Sequence, residues 1–581
     1  MKKRYLIDNI ICIIKSLLVL SYYPSFFSLH KIGVLLKLSI LIQNSSFKRT
    51  FSILLPFGLL LCCLSLAYTY NLEFDQPIIS AHGQPLPLGD YVKYHKNSDF
   101  IKEFDIPIDN NEKGLKGITT DSKNNAWIYH NSNTSSTIME FNPVDNTFTK
   151  YPISKVTNVD NAITNLAGGQ LIFDQTRNII WFSDARTNSL GKLNLTNKQM
   201  DLYDIPTANS GIMGIALSPD SKSIWFAEIT GNNIGNFHIK SNKIVEYPTG
   251  ESSGPTLITF DKDGFLWSSL SYSDEILRIE PWMLIPGNEF NGMLKIKLEN
   301  PDRYSPFGLS IVNDKTSNNG GSSSNDELFV SDHGSSRIIV IPLYDQNILN
   351  EEIVNYTSYW TSLPTSNFFP NTLPSQMISD NEGNIYFAEH LGNRIAKFST
   401  ETKTLIEYDI PTGPLAGTVF LSISNDNKKV WFTEWESNKI GYLDTTKGIP
   451  YQMKLTNENQ KDNRPIIFKH DTSYQTMVLL TREDNFTLNN SENLTLNNIS
   501  LSVVGMSDSG PKGITYSFNP PIIDLSESNE ENSLLNLHAI KDGKLQFGNH
   551  TLMIRASSNI DENNNLTLSI LQPLPISIIK P

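Results

Sequence analysis

The stretch Val430–Leu443, VWFTEWESNKIGYL, contains the pattern on which the predicted fold depends. An apolar and aromatic run leads into an acidic residue, a polar turn with Asn follows, and a second apolar run ends the stretch. Aromatic and β-branched residues favour strands, whereas Asn and Ser favour the turn between two strands. The stretch is therefore predicted to form a strand, a tight turn and a second strand.

The same pattern occurs seven times, each time with an apolar segment at or just ahead of it. The copies begin at Lys116, Leu171, Gly214, Leu257, Phe307, Met377 and Leu421. Most copies are followed by another alternating segment, such as IVEYPT or LIEYDIP. Four short strands in a repeat of about 40 to 60 residues are typical of a β-propeller blade. The sequence therefore predicts seven blades.

A single strand-like segment, Phe100–Pro107 (FIKEFDIP), precedes the first repeat and has the pattern of an outer blade strand. The seventh repeat lacks its own outer strand, because the chain continues there as GIPYQM. We predict that this segment completes the last blade. Such closure removes exposed strand edges that would otherwise invite aggregation.

The predicted fold class is all-β: a seven-bladed β-propeller at 100–450, followed by an Ig-like β-sandwich at 451–581. The second region is predicted from alternating runs such as TMVLLT and HTLMIRASS, separated by turns rich in Asn and Ser. Residues 71–99 are polar, contain several prolines and are predicted to be a linker.

Residues 1–70 form a hydrophobic N-terminal region. Its segment 51–70, FSILLPFGLLLCCLSLAYTY, has no charged residue and is long enough to be a transmembrane helix. Lys48 and Arg49 precede it, which favours a cytoplasmic N-terminus. We therefore predict a membrane anchor, or a cleaved signal, with the bulk of the chain extracytoplasmic. All three cysteines lie in this region, so no disulfide framework is expected beyond it.

The net charge of −13 argues against nucleic acid as a partner and against anionic membrane surfaces. The expected partner is a small molecule, a glycan or a protein ligand, with membrane contact only through the N-terminal segment. The sequence contains no nucleotide-binding loop, no serine nucleophile elbow and no HExxH motif.

The phrases WFAEITGNNIGNF and WFTEWESNKIGYL, with following segments such as LIEYDIP, resemble the repeat of the streptogramin B lyases (virginiamycin B lyase family). More broadly, they are similar to gluconolactonase-like and NHL-type propellers. The resemblance covers roughly 100–443 and implies a seven-bladed propeller. It also implies a metal-assisted elimination that opens a cyclic depsipeptide, with a His base and a Mg²⁺ ion held by Glu.

The resemblance places the family's His in a P-H-G-I or P-H-A-I segment at the start of a blade's inner strand. We call the matching positions of this chain the slot positions; they are Lys116, Gly169, Met213, Thr256, Phe307, Gln376 and Phe420 or Val419. None is His, and a general base must be of the right type and within reach of its proton. We therefore predict a ligand-binding or interaction module; the alternative is a divergent metal-dependent lyase or lactone hydrolase that acts on a cyclic ester.

One position of the repeat lies two residues after the aromatic pair, as Glu434 does after Trp431 and Phe432. It is here called the register position. The seven register positions hold His130, Asp184, Glu228, Leu270, Asp332, Glu389 and Glu434. Carboxylates at one level of a ring could hold Mg²⁺ or Ca²⁺, which prefer oxygen ligands. The favoured alternative is structural: each carboxylate accepts hydrogen bonds from the turn that follows it.

His333 and His390 directly follow two of these carboxylates. Neighbouring residues of a strand point to opposite faces, so each His is predicted to point away from its carboxylate. The two could lie close together across a blade interface and serve as base or ligand, or they could be partly exposed turn residues. Trp360 and Trp435 are candidates for the wall of a pocket, with core packing as the alternative.

Overall fold

The computed structural model describes residues 78–79, 85–86 and 98–579, with gaps at 109–113, 132–134, 155–167, 287–290, 299–303, 314–325, 344–353, 355, 365–370, 414, 457–464, 470, 484–495, 506–512, 541–545 and 562–565. The chain divides into two compact units, 1–88 and 89–581. In the first unit, β1 (Ile78–Ile79) and β2 (Pro85–Leu86) pair antiparallel within the predicted linker.

The predicted membrane segment at 51–70 lies outside the described residues. Within the part of the chain that the structure describes, no helix is long and apolar enough to cross a membrane.

The second unit begins with β3 (Ile101–Asp105). The sequence repeats then supply four-stranded antiparallel arrangements, here called repeat sheets 1 to 7. Repeat sheet 1 contains β4 (Leu115–Thr120), β5 (Ala126–Asn131), β6 (Ser136–Asn142) and β7 (Thr147–Ile153). Repeat sheet 2 contains β8 (Leu171–Asp174), β9 (Ile179–Asp184), β10 (Ser189–Asn194) and β11 (Met200–Asp204). Repeat sheet 3 contains β12 (Ile212–Leu217), β13 (Ser223–Glu228), β14 (Asn233–His238) and β15 (Lys243–Pro248).

Repeat sheets 4 to 7 follow in chain order, with one short 3₁₀ helix in sheet 4. Repeat sheet 4 contains β16 (Pro255–Phe260), β17 (Leu266–Leu270), β18 (Glu275–Ile279), the 3₁₀ helix Pro281–Met283 and β19 (Met293–Lys297), and repeat sheet 5 contains β20 (Pro306–Val312), β21 (Glu327–Asp332), β22 (Arg337–Pro342) and β23 (Thr357–Trp360). Repeat sheet 6 contains β24 (Pro374–Ser379), β25 (Asn384–Glu389), β26 (Arg394–Ser399) and β27 (Leu405–Asp409). Repeat sheet 7 contains β28 (Leu421–Ile423), β29 (Lys429–Glu434) and β30 (Lys439–Asp444), together with β3.

The first strands of the repeat sheets contact one another in a closed cycle. β4 contacts β8, and the contacts continue through β12, β16, β20 and β24 to β28, which returns to β4. Sheets adjacent in sequence are therefore neighbours in space, and the last neighbours the first. This arrangement is all-β and propeller-like.

Repeat sheet 7 takes its outer strand from the N-terminal side of the chain, as predicted. β3 pairs antiparallel with β30, and Ile101 lies opposite Leu443. Phe104 of β3 also packs against Phe141 of repeat sheet 1, with ring centroids 4.8 Å apart. Thr433 donates a hydrogen bond from its hydroxyl to the carbonyl oxygen of Lys116. Strand pairing, aromatic packing and a hydrogen bond thus join the last sheet to the first.

Two glutamines tie neighbouring first strands together near the ring axis. Gln170 Oε1 accepts a hydrogen bond from Ile215 N at 2.6 Å, and Gln376 Oε1 accepts one from Leu421 N at 2.7 Å. Each bond satisfies a backbone donor that lies between two sheets, and a buried donor without a partner would cost stability.

The remaining strands form two sheets over one shared hydrophobic core. They are β31 (Tyr451–Thr456), β32 (Ile466–Phe468), β33 (Ser473–Arg482), β34 (Ile499–Val504), β35 (Ile514–Asn519), β36 (Ile522–Ile523), β37 (Glu530–Ala539), β38 (Gly548–Asp561) and β39 (Leu566–Ile578). The predicted runs TMVLLT and HTLMIRASS lie in β33 and β38.

The C-terminal strand also extends repeat sheet 6, which the sequence did not predict. β39 pairs antiparallel with the outer strand β27, and Leu405 lies opposite Leu571. Asp409 Oδ2 accepts hydrogen bonds from Thr567 N at 2.9 Å and Thr567 Oγ1 at 2.7 Å. This pairing covers an outer sheet edge. Residues 89–581 form one compact unit, so the domain boundary at 450/451 stays a prediction.

Candidate functional site

One end of the ring, here called the slot face, is where first strands begin and second strands end. A hydrophobic cluster lies there, formed by Ala185, Met213, Ile229, Leu257 and Phe420, with Phe307 and Val419 packed against it. Several slot positions belong to this cluster. Apolar packing therefore occupies positions where the resemblance implies histidine.

The structure brings the two predicted histidines together across repeat sheets 5 and 6. The ring centroids of His333 and His390 lie 5.9 Å apart. His333 also stacks on Phe307, with centroids 4.8 Å apart, and its Nδ1 lies 3.1 Å from the carbonyl oxygen of Pro374. The two histidines therefore lie close to each other, one of the two arrangements that the sequence left open, and the stacking on Phe307 connects them to the apolar cluster.

Both histidines are in surroundings that disfavour the imidazolium ion. Burial, with a smaller contribution from His333, lowers the pKa of His390 to about 3. Burial likewise lowers the pKa of His333. A general base works best when its pKa is near the working pH, so His390 is a weak base as placed. Its Nδ1 is buried and has no hydrogen-bond partner among the described residues.

The register carboxylates are fully buried, and those of repeat sheets 2 and 5 bind the turns that follow them. Asp184 Oδ1 accepts hydrogen bonds from Arg186 N at 3.0 Å and Tyr129 Oη at 2.8 Å. Asp332 accepts them from Gly334 N at 3.0 Å and Ser335 Oγ at 2.7 Å. The bonds from Arg186, Gly334 and Ser335 are the turn contacts predicted for a structural role, whereas Tyr129 lies in β5 of repeat sheet 1.

The three register glutamates each contact a side chain at the start of the next strand or in the turn before it. The partners are Asn233 Nδ2 for Glu228 at 3.1 Å, Arg394 Nη1 for Glu389 at 3.2 Å, and Ser437 Oγ for Glu434 at 2.5 Å. The remaining oxygen of each glutamate has no hydrogen-bond partner among the described residues.

A second carboxyl, which sequence reasoning missed, lies beside each register glutamate: Glu407 is buried, and Glu103 and Glu246 are partly buried. Burial and the neighbouring Glu246 raise the pKa of Glu228 to about 8. In the same way, burial and a neighbour raise the pKa of Glu389 (beside Glu407) and of Glu434 (beside Glu103). Two carboxyls in one site resist ionising together, so the register glutamates favour the protonated form.

The second carboxyl links its sheet to the preceding one. Glu246 accepts hydrogen bonds from Thr207 N and Thr207 Oγ1, both at 2.9 Å. Glu103 accepts the equivalent pair from Thr412, both at 2.8 Å. The signal was present in the sequence: YDIPT ends at Thr207 and again at Thr412.

These contacts do not assemble an evident metal centre. In the described ranges, no three His, Cys, Asp or Glu side chains are grouped so that they could hold a metal ion. Two register carboxylates are also paired with arginines, Asp332 with Arg337 at 2.8 Å and Glu389 with Arg394 at 3.2 Å. A guanidinium repels a divalent cation at close range. The Mg²⁺ or Ca²⁺ site therefore stays a prediction.

Lys116, one of the slot positions, is a buried lysine of the slot face. It is 5% exposed, and its Nζ lies 5.4 Å from the ring centroid of Trp435. Burial lowers its pKa to about 7; Asp184 opposes this shift and Arg186 adds to it. The other candidate tryptophan, Trp360, is buried in a core cluster of repeat sheets 5 and 6.

A cavity of about 560 Å³ runs along the first strands, from the level of Gln170, Leu257 and Gln376 toward the ends remote from the slot face. Six of the seven first strands contribute to its lining, which includes Thr120, Gln170, Ser310, Gln376 and Ser422. Hydroxyl and amide groups alternate in the lining with apolar side chains such as Ile118 and Leu309, and Asp121 is its one acidic residue, so the cavity suits water or a neutral ligand.

Fold and site together define an all-β, propeller-like protein whose central face carries a packed apolar cluster. The sequence model of the virginiamycin B lyase family matches residues 101–285. The chain thus resembles the virginiamycin B lyases and has a streptogramin B lyase-like propeller fold. No curated protein sequence matches it.

Similar solved structures include a virginiamycin B lyase from Staphylococcus aureus, 22% identical, covering 59% of this chain and 98% of that one with a TM-score of 0.46. A streptogramin B lyase is 21% identical, with 59% and 97% covered and a TM-score of 0.46. The hydrazine synthase of Kuenenia stuttgartiensis is 13% identical, with 58% and 98% covered and a TM-score of 0.43.

Proposed function

We propose that this protein is a seven-bladed β-propeller with a C-terminal β-sandwich, and that it binds a ligand on the slot face without opening a cyclic ester. The observation that carries the proposal is the apolar cluster around Met213, Phe307 and Phe420. It fills positions that the lyase chemistry would need for a base. Packed apolar side chains offer contact area but no proton transfer.

The charges around this face also favour binding over metal-assisted elimination. Arg337 already neutralises the carboxylate of Asp332, and the Glu389 carboxyl, whose pKa burial and Glu407 raise, accepts a hydrogen bond from Arg394. Burial raises the pKa of Glu228 to about 8, so this carboxyl is largely protonated at neutral pH. A protonated carboxyl or a carboxylate engaged by arginine is a poor ligand for Mg²⁺ or Ca²⁺.

The probe for this proposal is virginiamycin B, the cyclic depsipeptide for which the matched family is named. We expect saturable binding by calorimetry, weakened at least about 10-fold in Trp435→Ala because the aromatic wall beside Lys116 is lost. Trp282→Ala is the matched control. Trp282 is 59% exposed and lies in the 3₁₀ helix of repeat sheet 4, whereas Trp435 follows β29 of repeat sheet 7. Absence of saturable binding, or equal weakening in both variants, contradicts the proposal.

The alternative is a divergent metal-dependent lyase or lactone hydrolase acting on a cyclic ester, and the closeness of His333 and His390 favours it. A ligand metal ion would stabilise the folded state by mass action. If millimolar Mg²⁺ or Ca²⁺ raises the melting temperature and Glu389→Gln removes that effect, the alternative gains and the binding-only proposal fails.

We further propose that segment 51–70 anchors the chain in a membrane and that the bulk is extracytoplasmic. Its uncharged length and the preceding Lys48 and Arg49 support this. In cells expressing the full chain, the protein should resist alkaline extraction from membranes and be cut by external protease. Leu59→Arg with Leu60→Arg should release it from membranes, and a full chain that is extracted without these changes contradicts the anchor.

A further inference from the structure

One position of the repeat, here called the lining position, forms a level of the cavity wall. It lies in the first strand, opposite the residue three before the register position, as Thr119 lies opposite Trp127 and Thr259 opposite Trp267. The lining positions in the cavity wall are Thr119, Ile172, Thr259, Ser310, Ile378 and Ser422. The first strands contact one another in a closed cycle, so these hydroxyl and aliphatic side chains surround the cavity at one height.

Three of these hydroxyls have no hydrogen-bond partner among the residues that the structure describes, namely those of Thr119, Thr259 and Ser310. Thr119 is 8% exposed and Ser310 is 6% exposed, so both are more than nine-tenths buried. In contrast, the hydroxyl of the next residue, Thr120, donates a hydrogen bond to the carbonyl oxygen of Ile423 at 2.7 Å. A buried hydroxyl without a partner costs free energy, so water or a ligand must supply the missing partners.

Gln170 and Gln376 add amide donors from nearly opposite sides of the cavity. Their sheets, 2 and 6, are separated by three sheets in one direction around the ring and by two in the other. Each Oε1 accepts a backbone hydrogen bond, which fixes the amide because only its oxygen can accept. Neither Nε2 has a hydrogen-bond partner within the described ranges. The cavity thus offers unused amide donors together with hydroxyls that both donate and accept.

The charge of the wall selects against anions. Among the described residues that line the cavity, none is basic and one, Asp121, is acidic. Asp121 Oδ1 accepts hydrogen bonds from Lys123 N at 2.8 Å and Asn125 N at 3.0 Å, and its Oδ2 accepts one from Trp127 Nε1 at 3.0 Å. The turn and the core therefore already engage this carboxylate. An anion would find no cationic partner, and burying an unpaired charge is costly.

The cavity opens at the end remote from the slot face. Gln175, Asn381 and Asn425 lie in turns that follow first strands; they line that end and are exposed. At the other end, Leu257 belongs both to the wall and to the apolar cluster of the slot face. The apolar cluster therefore lies between the cavity and the slot face.

We propose that this cavity is a second binding site, which takes a neutral sugar of one or two rings. Sugar hydroxyls both donate and accept, so they match the hydroxyls of the lining positions and the Nε2 donors of the two glutamines. Ile172 and Ile378 offer apolar contact to the C–H groups of a sugar ring. Ligand pockets measure roughly 300 to 1,000 Å³ and combine apolar walls with a few placed polar groups, as this cavity does.

This inference goes beyond the proposed function, because it uses other residues at the other end of the first strands. The test titrates the purified full chain, kept free of sugar-based detergents, with glucose, N-acetylglucosamine and maltose in a calorimeter. We expect saturable binding of at least one of these sugars. Glucuronate carries a carboxylate where glucose has a CH₂OH group, and it should show no saturable binding because the wall supplies no cation.

Thr259→Val combined with Ser310→Ala removes two unpartnered hydroxyls and nearly keeps the shape of the wall. Sugar binding should weaken at least about 10-fold, whereas the melting temperature should not fall, because neither hydroxyl bonds to a described residue. Thr149→Val, at an exposed position of β7, is the matched control and should leave sugar binding unchanged.

Three results would overturn the inference. Absence of saturable binding for all three neutral sugars would mean that water alone fills the cavity. Saturable binding of glucuronate would contradict the selection for neutral ligands. Sugar binding that is as tight in the double variant as in the wild type, or that weakens equally in Thr149→Val, would place the sugar elsewhere.

Discussion

A Cβ atom on Gly308 of repeat sheet 5 would lie 2.2 Å from the carbonyl oxygen of Ser375 in repeat sheet 6. Gly214 stands in the same register of repeat sheet 3, where a Cβ would lie 2.6 Å from the carbonyl oxygen of Thr256. Real Cβ atoms do not approach an oxygen this closely. Glycine is thus required at these two positions by the packing of neighbouring first strands.

Gly308→Ala should therefore destabilise the protein by about 2 kcal/mol or more, because first strands must move apart to admit one methyl group. Urea denaturation of both proteins measures the difference. Gly448→Ala is the matched control: a Cβ at Gly448 would meet nothing within 4 Å, and its effect should stay within about 0.5 kcal/mol. Equal costs at the two glycines would contradict the packing argument.

Ring closure through β3 leads to a second prediction. Ile101 is fully buried opposite Leu443, so Ile101→Ala should cost about 3 kcal/mol of unfolding free energy through lost burial and a cavity. Lys102→Ala, on the exposed side of the same strand, should change little. A neutral Ile101→Ala variant would show that β3 does not close the ring in solution.

The pKa of Glu228 predicts a change of stability with pH. Burial and Glu246 raise this pKa to about 8 in the folded protein, above its ordinary value. The folded state then binds more protons than the unfolded state between about pH 4.5 and 8, so this group's contribution falls as pH rises through that window. Glu228→Gln should remove this loss, so the stability of the variant relative to the wild type should be higher at pH 8.5 than at pH 5.

Glu251→Gln is the control for this experiment, because Glu251 is exposed and near in sequence. Thermal unfolding of the three proteins from pH 5 to 8.5 measures the effect. Parallel curves for wild type and Glu228→Gln would mean that Glu228 is not protonated in the folded protein.

His390 predicts the opposite pH dependence. Burial lowers its pKa to about 3, below the ordinary value of histidine, so the folded state excludes a proton that the unfolded state binds. Its contribution to stability is complete above about pH 6.5 and falls as the pH drops toward 3. His390→Gln should spare about 1.5 kcal/mol of the loss between pH 6.5 and 5. The exposed His238, changed to Gln, should leave the profile unchanged.

The sequence predicts the repeat architecture well because the repeat is local. An aromatic pair, an acid and an Asn-containing turn occur within about a dozen residues of one another, which is the range over which strand and turn preferences act. The closing role of Phe100–Pro107 could also be predicted. The seventh repeat lacks an outer strand, and this segment is an unassigned strand with the outer-strand pattern.

What the sequence could not show depends on contacts between distant repeats. β39, a long C-terminal strand, pairs with the outer strand β27. The residue pattern of each strand shows that it is a strand but not which strand it will pair with. Glu434 and Glu103 meet within repeat sheet 7, although the other six repeats separate them in the sequence. The position of Lys116 beneath Trp435 likewise joins repeat sheets 1 and 7. Such contacts become visible only after the ring is assembled.

The most direct measurement of the central claim is the fate of virginiamycin B after incubation with the purified protein and millimolar Mg²⁺, followed by liquid chromatography and mass spectrometry. The apolar packing at Met213, Phe307 and Phe420 predicts that the cyclic depsipeptide is recovered intact at all protein concentrations. Accumulation of the linear, ring-opened product in proportion to protein, and its absence with Glu389→Gln, would contradict the account.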